Sequence, residues 1–251
     1  FEEALAYMER ASQLNPHHKE SQEQASHLRR MLSIQQLPEA IPLEDALECV
    51  ATYFSLDVEE LKRYVVEDTI GGYNLADAGS PNPFWHGGCV WEVEGQVLYA
   101  LVRALKPKVI VEIGSLTGCS TSHLALACER NGEGIVYAID PALDFSRVPA
   151  SLLTRIIPVK QDAFTWVPPL AIDFLFEDGA HTKGFTGSIL RRLLPYCSRP
   201  SAILCHDAYT PHLSGHLFSE FEEALGGDAQ RILIHPSNCG LGYSLYGDAP
   251  D

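Results

Sequence analysis

Pro107-Lys-Val-Ile-Val-Glu112-Ile-Gly114-Ser115-Leu-Thr-Gly118-Cys-Ser120-Thr121 is the stretch from which the rest of the chain is read. Lys108 to Ile113 is a short apolar run rich in β-branched residues, the composition of a strand buried inside a parallel sheet. Gly114 and Gly118 break the run. A helical pattern follows, with Leu124, Ala125, Ala127 and Cys128 on one face and Asn131-Gly132 closing it. Strand, glycine turn and helix together make a place where backbone N–H groups and a helix N-terminus meet a ligand.

Working outward, strands are expected near 108–113, 134–139, 155–160, 171–177, 200–206, 231–235 and 241–246. Helices fill 119–130, 184–195 and 214–225, with a weaker one at 146–153. Such alternation implies an α/β fold with a doubly wound, mostly parallel seven-stranded sheet. The link between the last two strands is too short for a parallel crossover, so an antiparallel last strand is expected. Three units are read: a helical extension at 1–36, helices with a lid-like loop at 37–90, and a ligand-binding domain at 91–251. In the loop, Tyr73, Phe84, Trp85, His86 and Trp91 either line a pocket or anchor the loop.

The turn says what kind of ligand it suits. A dinucleotide fingerprint would read Gly-x-Gly-x-x-Gly, and no third glycine is in place here, which argues against NAD or FAD. Glu112 at the strand end suits an ammonium group better than a pyrophosphate. Ser120 and Thr121 at the helix start suit a carboxylate. An amino acid moiety meets both demands, and S-adenosylmethionine carries one.

These residues resemble the first motif of class I S-adenosylmethionine-dependent methyltransferases. The similarity is greatest to the O-methyltransferases related to catechol O-methyltransferase and to the macrolide-sugar and cephalosporin-type enzymes. It runs over residues 92–246, and Glu94-Gly-Gln-Val-Leu98 resembles the short motif those enzymes carry before the first strand. The resemblance implies a Rossmann-like methyltransferase fold. It also implies a cofactor site at Glu112, Gly114, Ser115, Gly118 and Ser120, with Asp140 on the ribose and Asp162 and Ala163 at the adenine. Asp140 could otherwise cap a turn, and Asp162 could simply form one.

Strand four ends Phe176-Glu-Asp178-Gly-Ala-His181 and strand five ends Cys205-His-Asp207-Ala208. Open parallel sheets bind ligands at this edge. By resemblance Asp178 is a metal ligand or cofactor contact, and the position of His181 holds the general base. A histidine can take a hydroxyl proton near neutral pH; it could also merely cap the next helix. Asp178 and Asp207 facing one cleft would repel without a cation or proton between them, and Mg2+ is the natural cation for oxygen ligands. The related metal enzymes place Asn or a second acid where Ala208 stands. His212 and His216 share a zinc-like spacing, but Pro211 and Gly215 make that stretch a loop.

The net charge of −15 argues against nucleic acid and against an anionic membrane surface. The expected partner is a small-molecule or carrier-held acceptor, and a homodimer is compatible with helices outside the sheet. No apolar run approaches the roughly 18 residues of a membrane helix, so a cytoplasmic location is expected. Seven cysteines at irregular spacing indicate reduced thiols. Residues 1–16 resemble the second helix of a tetratricopeptide repeat, which would allow protein contacts through the N-terminal helices. Two other function classes remain open: a scaffold with a vestigial methyltransferase fold, and a hydroxylase-like reaction on the same fold.

Overall fold

The computed structural model describes residues 39–68, 90–209, 216–237 and 239–247. The repeat-like helices of 1–36, the loop aromatics Tyr73, Phe84, Trp85 and His86, and His212 lie outside the described residues.

Two helices come first, α1 (Leu43–Phe54) and α2 (Val58–Glu67), followed by α3 (Glu92–Leu105). Asp57 starts α2 as an N-cap, its Oδ1 accepting from the Glu59 amide at 2.9 Å, which satisfies an otherwise orphaned donor. Then come β1 (Val109–Ile113), α4 (Cys119–Asn131), β2 (Ile135–Ile139), β3 (Ile156–Val159) and β4 (Ile172–Glu177). The chain continues with α5 (Phe185–Leu193), β5 (Cys197–Cys205), α6 (His216–Leu225), β6 (Gln230–Ile232) and β7 (Leu241–Tyr246). The strands form one sheet in the order β3-β2-β1-β4-β5-β7-β6. Pairings are parallel from β3 through β5, while β7 runs antiparallel to both β5 and β6. The expected doubly wound sheet with one reversed strand is present. The weak helix near 146–153 is instead a 3-10 segment, Ala150–Arg155. Strand β3 is short and carries Pro158, which lacks an N–H and is tolerated at this edge position.

Strand alternation sorts the core into two layers. Ile110, Phe174 and Phe176 join α1 to α4 on one face, while Val111, Ile113, Leu175 and Ile203 join α5 and α6 on the other. Helices α1 and α2 belong to the first layer through Leu47, Val50 and Leu61, all nearly inaccessible. The strand order reverses between β1 and β4, so their carboxyl ends diverge into a crevice. Gly114 closes the base of that crevice. Its φ is +89°, and a Cβ there would stand 1.9 Å from the Asp178 carbonyl oxygen.

Candidate active site

The crevice opens into a cleft of about 470 Å³ above the carboxyl ends of β1, β2 and β4. Its size is that of a small-molecule site. Gly114 and Leu116 line it after β1, Asp140 and Pro141 after β2, and Asp162 and Ala163 after β3. Asp178, Gly179 and His181 follow from β4, and Phe185 from α5.

Each acid is held by the backbone that delivers it. Asp140 accepts from the Ala142 amide at 2.6 Å and, across the crevice, from the Leu116 amide at 3.2 Å. A carboxylate has about four lone-pair sites, so capacity remains for a ligand. Asp162 accepts from the Phe164 amide at 2.8 Å and also lines the cleft, beside the buried Ala163.

Glu112 sits differently. Alternation along β1 turns it to the same face as Ile110, toward the start of α4. It is fully buried and accepts from the hydroxyls of Ser115 (2.8 Å), Ser120 and Thr121. Burial pushes its pKa up, against the pull of those hydroxyls. Here Glu112 braces the glycine turn from behind and does not line the cleft, and Ser120 is turned toward it. Gly118 begins α4 at φ +81°, with Val148 and Phe145 packed where a Cβ would go.

A second buried acid supports β4. Glu177 accepts from the Gly179 amide at 2.9 Å and from the Thr186 hydroxyl at 2.8 Å, which fixes the loop bearing Asp178 and His181. Burial raises its pKa to about 7. The folded state therefore binds a proton that the unfolded state releases between pH 4.5 and about 7, and stability falls as pH rises through that window. Glu177→Gln is expected to raise Tm more at pH 8 than at pH 5. Scanning calorimetry at the two pH values checks this, and an equal shift at both would remove Glu177 as the cause.

Four polar side chains meet where β4 and β5 end. His181 Nε2 lies 2.8 Å from Asp207 Oδ2 and 3.9 Å from Asp178 Oδ1, with its side chain 32% exposed to the cleft. The Asp178 and Asp207 carboxylates push its pKa up to about 10. His206, 4% exposed, places Nδ1 3.2 Å from Asp178 and 3.3 Å from Asp207. Its Nε2 lies 2.8 Å from Glu94, a fully buried residue of α3. Burial opposes charge on His206, but Asp178, Glu94 and Asp207 outweigh it and hold its pKa well above the ordinary value. Burial would raise the Asp207 pKa, yet the two histidines hold it well below the carboxylate range.

The sequence marks Glu94 only as part of the short motif before β1. Its contact with His206 spans 112 positions, and no local pattern carries it. The buried pair His123–Asp68, at 2.6 Å, has no local sequence signal either. It ties the end of α2 to α4, and Gly95 supplies the room for the imidazole.

Two groups among the described residues could converge on a metal: Asp178, His181 and Asp207, and His206, Asp207 and Cys239. Burial pushes the Cys239 thiol up to about 12, away from the thiolate form a metal takes. Mg2+ takes oxygen ligands in a near-octahedral shell. Here two imidazoles already engage the two carboxylates, and Ala208 adds no side-chain oxygen. The residues present do not fit magnesium.

Residues 111–208 match a family model described as a methyltransferase domain. Over those residues the chain is similar to that family. The same fold is found in an O-methyltransferase from Bacillus cereus in complex with SAH, at 16% identity and a TM-score of 0.51, covering 80% of this chain and 97% of that one. An SAH-bound methyltransferase from Podospora anserina is similar at 14% identity and a TM-score of 0.50, covering 85% and 100%. No curated protein gives a significant match. The matched segment runs from within β1 to the residue after Asp207, so it contains the cleft but not α3 with Glu94. Among the described residues, no helix is long and apolar enough to cross a membrane.

Proposed function

We propose that the cleft binds S-adenosylmethionine and transfers its methyl group to a hydroxyl of a small-molecule or carrier-held metabolite. One observation carries the reading: Asp140, Asp162 and Asp178 follow three strands of one sheet and line one cleft beside the glycine turn. In this reading Asp140 takes the ribose hydroxyls, Asp162 and Ala163 flank the adenine, and Gly114, Ser115 and Gly118 shape the turn under the methionine end. Three acids also favour a ligand with a sulfonium and an ammonium charge. The SAH held by the Bacillus cereus and Podospora anserina proteins supports the same assignment.

When bound, the cofactor supplies a methyl group activated on sulfur. The protein's part is alignment and proton removal. The acceptor oxygen would act as the nucleophile toward that methyl group, with the carbon–sulfur bonding pair leaving on sulfur. The acceptor's proton passes to the His181 ring, which lines the cleft, and Asp207, 2.8 Å from its Nε2, steadies the imidazolium that results.

Calorimetry with S-adenosylmethionine tests the reading. Binding with Kd between about 1 μM and 1 mM is expected. Asp140→Asn is expected to weaken it about ten- to a hundredfold, the worth of charged hydrogen bonds to the ribose. No heat at millimolar cofactor would favour a scaffold role instead.

A further inference from the structure

We propose that the His206 ring, held by Glu94, permanently takes the place between Asp178 and Asp207 that a divalent cation would otherwise fill, so that this site works without a metal ion. The inference rests on the methyl-transfer reading above.

Two carboxylates sharing a cleft need positive charge between them. His206 Nδ1 sits within 3.2 and 3.3 Å of both. Its other nitrogen faces a third carboxylate, Glu94, at 2.8 Å. Ionised carboxylates only accept hydrogen bonds, so a ring with carboxylates at both nitrogens must donate from both, and that is the imidazolium form. The positive charge is thus supplied by the chain itself.

Glu94 keeps the ring from moving aside. One of its oxygens accepts from the Ser237 hydroxyl and from the Gly240 amide at 2.8 Å. The other accepts from the Trp91 amide at 3.0 Å as well as from His206. Glu94 is fully buried, so swinging His206 out to admit an ion would leave a buried carboxylate without its cationic partner, which is strongly unfavourable. Glu94 is therefore a positioning residue: it acts on the cleft only through His206. Asp207, held in turn, presents Oδ2 to His181.

The test uses Mn2+ as a paramagnetic probe for a divalent site, followed by electron paramagnetic resonance on the full chain, with S-adenosylmethionine calorimetry alongside. The wild-type protein is expected to carry no stoichiometric metal by mass spectrometry. It is expected to bind no Mn2+ up to about 1 mM. His206→Ala empties the space between the acids and is expected to tighten Mn2+ binding at least about tenfold. Glu94→Gln keeps the shape but removes the charge that anchors the ring, and is expected to move Mn2+ affinity the same way by less. A merely structural role for Glu94 would leave Mn2+ affinity unchanged. A stoichiometric transition metal in the purified protein, or tight Mn2+ binding to wild type with cofactor binding intact, overturns the proposal whatever the variants do. Loss of cofactor binding in wild type would instead overturn the methyl-transfer reading and leave the metal result to stand separately.

Discussion

His181→Ala is expected to lower kcat for methyl transfer by about 10²- to 10⁴-fold, the usual worth of a positioned base. Cofactor affinity should stay within about threefold, because Asp140, Asp162 and the glycine turn are untouched. The pH profile carries a sharper signature. With a pKa of about 10, His181 is neutral in only about one molecule in a thousand at pH 7. A base must be neutral to accept a proton, so log kcat should rise with unit slope from pH 7 toward 10. Labelled S-adenosylmethionine and a small hydroxyl acceptor provide the assay. A flat profile, or His181→Ala at wild-type rate, removes the base assignment.

Gly114→Ala should be the most damaging change in the turn. The methyl would enter at 1.9 Å from the Asp178 carbonyl oxygen, and the backbone would sit at a positive φ that alanine avoids. Neither neighbour is the free end of a flexible side chain, so β1 and β4 must separate. A cost on the order of 3–5 kcal/mol combines strain with lost pairing. Denaturant unfolding should show it, and calorimetry should show no cofactor binding. Retention of both would mean that the turn relaxes without disturbing the cleft. Gly132→Ala separates the two costs, since its φ is also positive (+73°) but nothing lies within 4 Å of the added atom.

The sheet was readable because its signals are local. Apolar strand runs, glycine turns and amphipathic helices repeat on their own periods, and the short final link dictated a reversed strand. Asp140, Asp162 and Asp178 were readable because strand ends in such sheets point one way. Glu112 shows where local reading stops. Its place at the strand end suggested a ligand contact, yet its parity with Ile110 turns it to the α4 face. The Glu94–His206 contact had no such signal, because it joins a helix start to a strand end through packing alone.

One carboxylate in this fold answers to two structures at once. Glu94 closes the amino end of α3 by accepting from Trp91, and the same group anchors His206 beside the cleft. Fraying of the first helical turn would therefore release the His206 ring and set Asp178 and Asp207 against each other. Local opening and loss of function become one cooperative event. Amide exchange at Trp91 and Gly240 should consequently slow together when ligand occupies the cleft, although neither residue lines it.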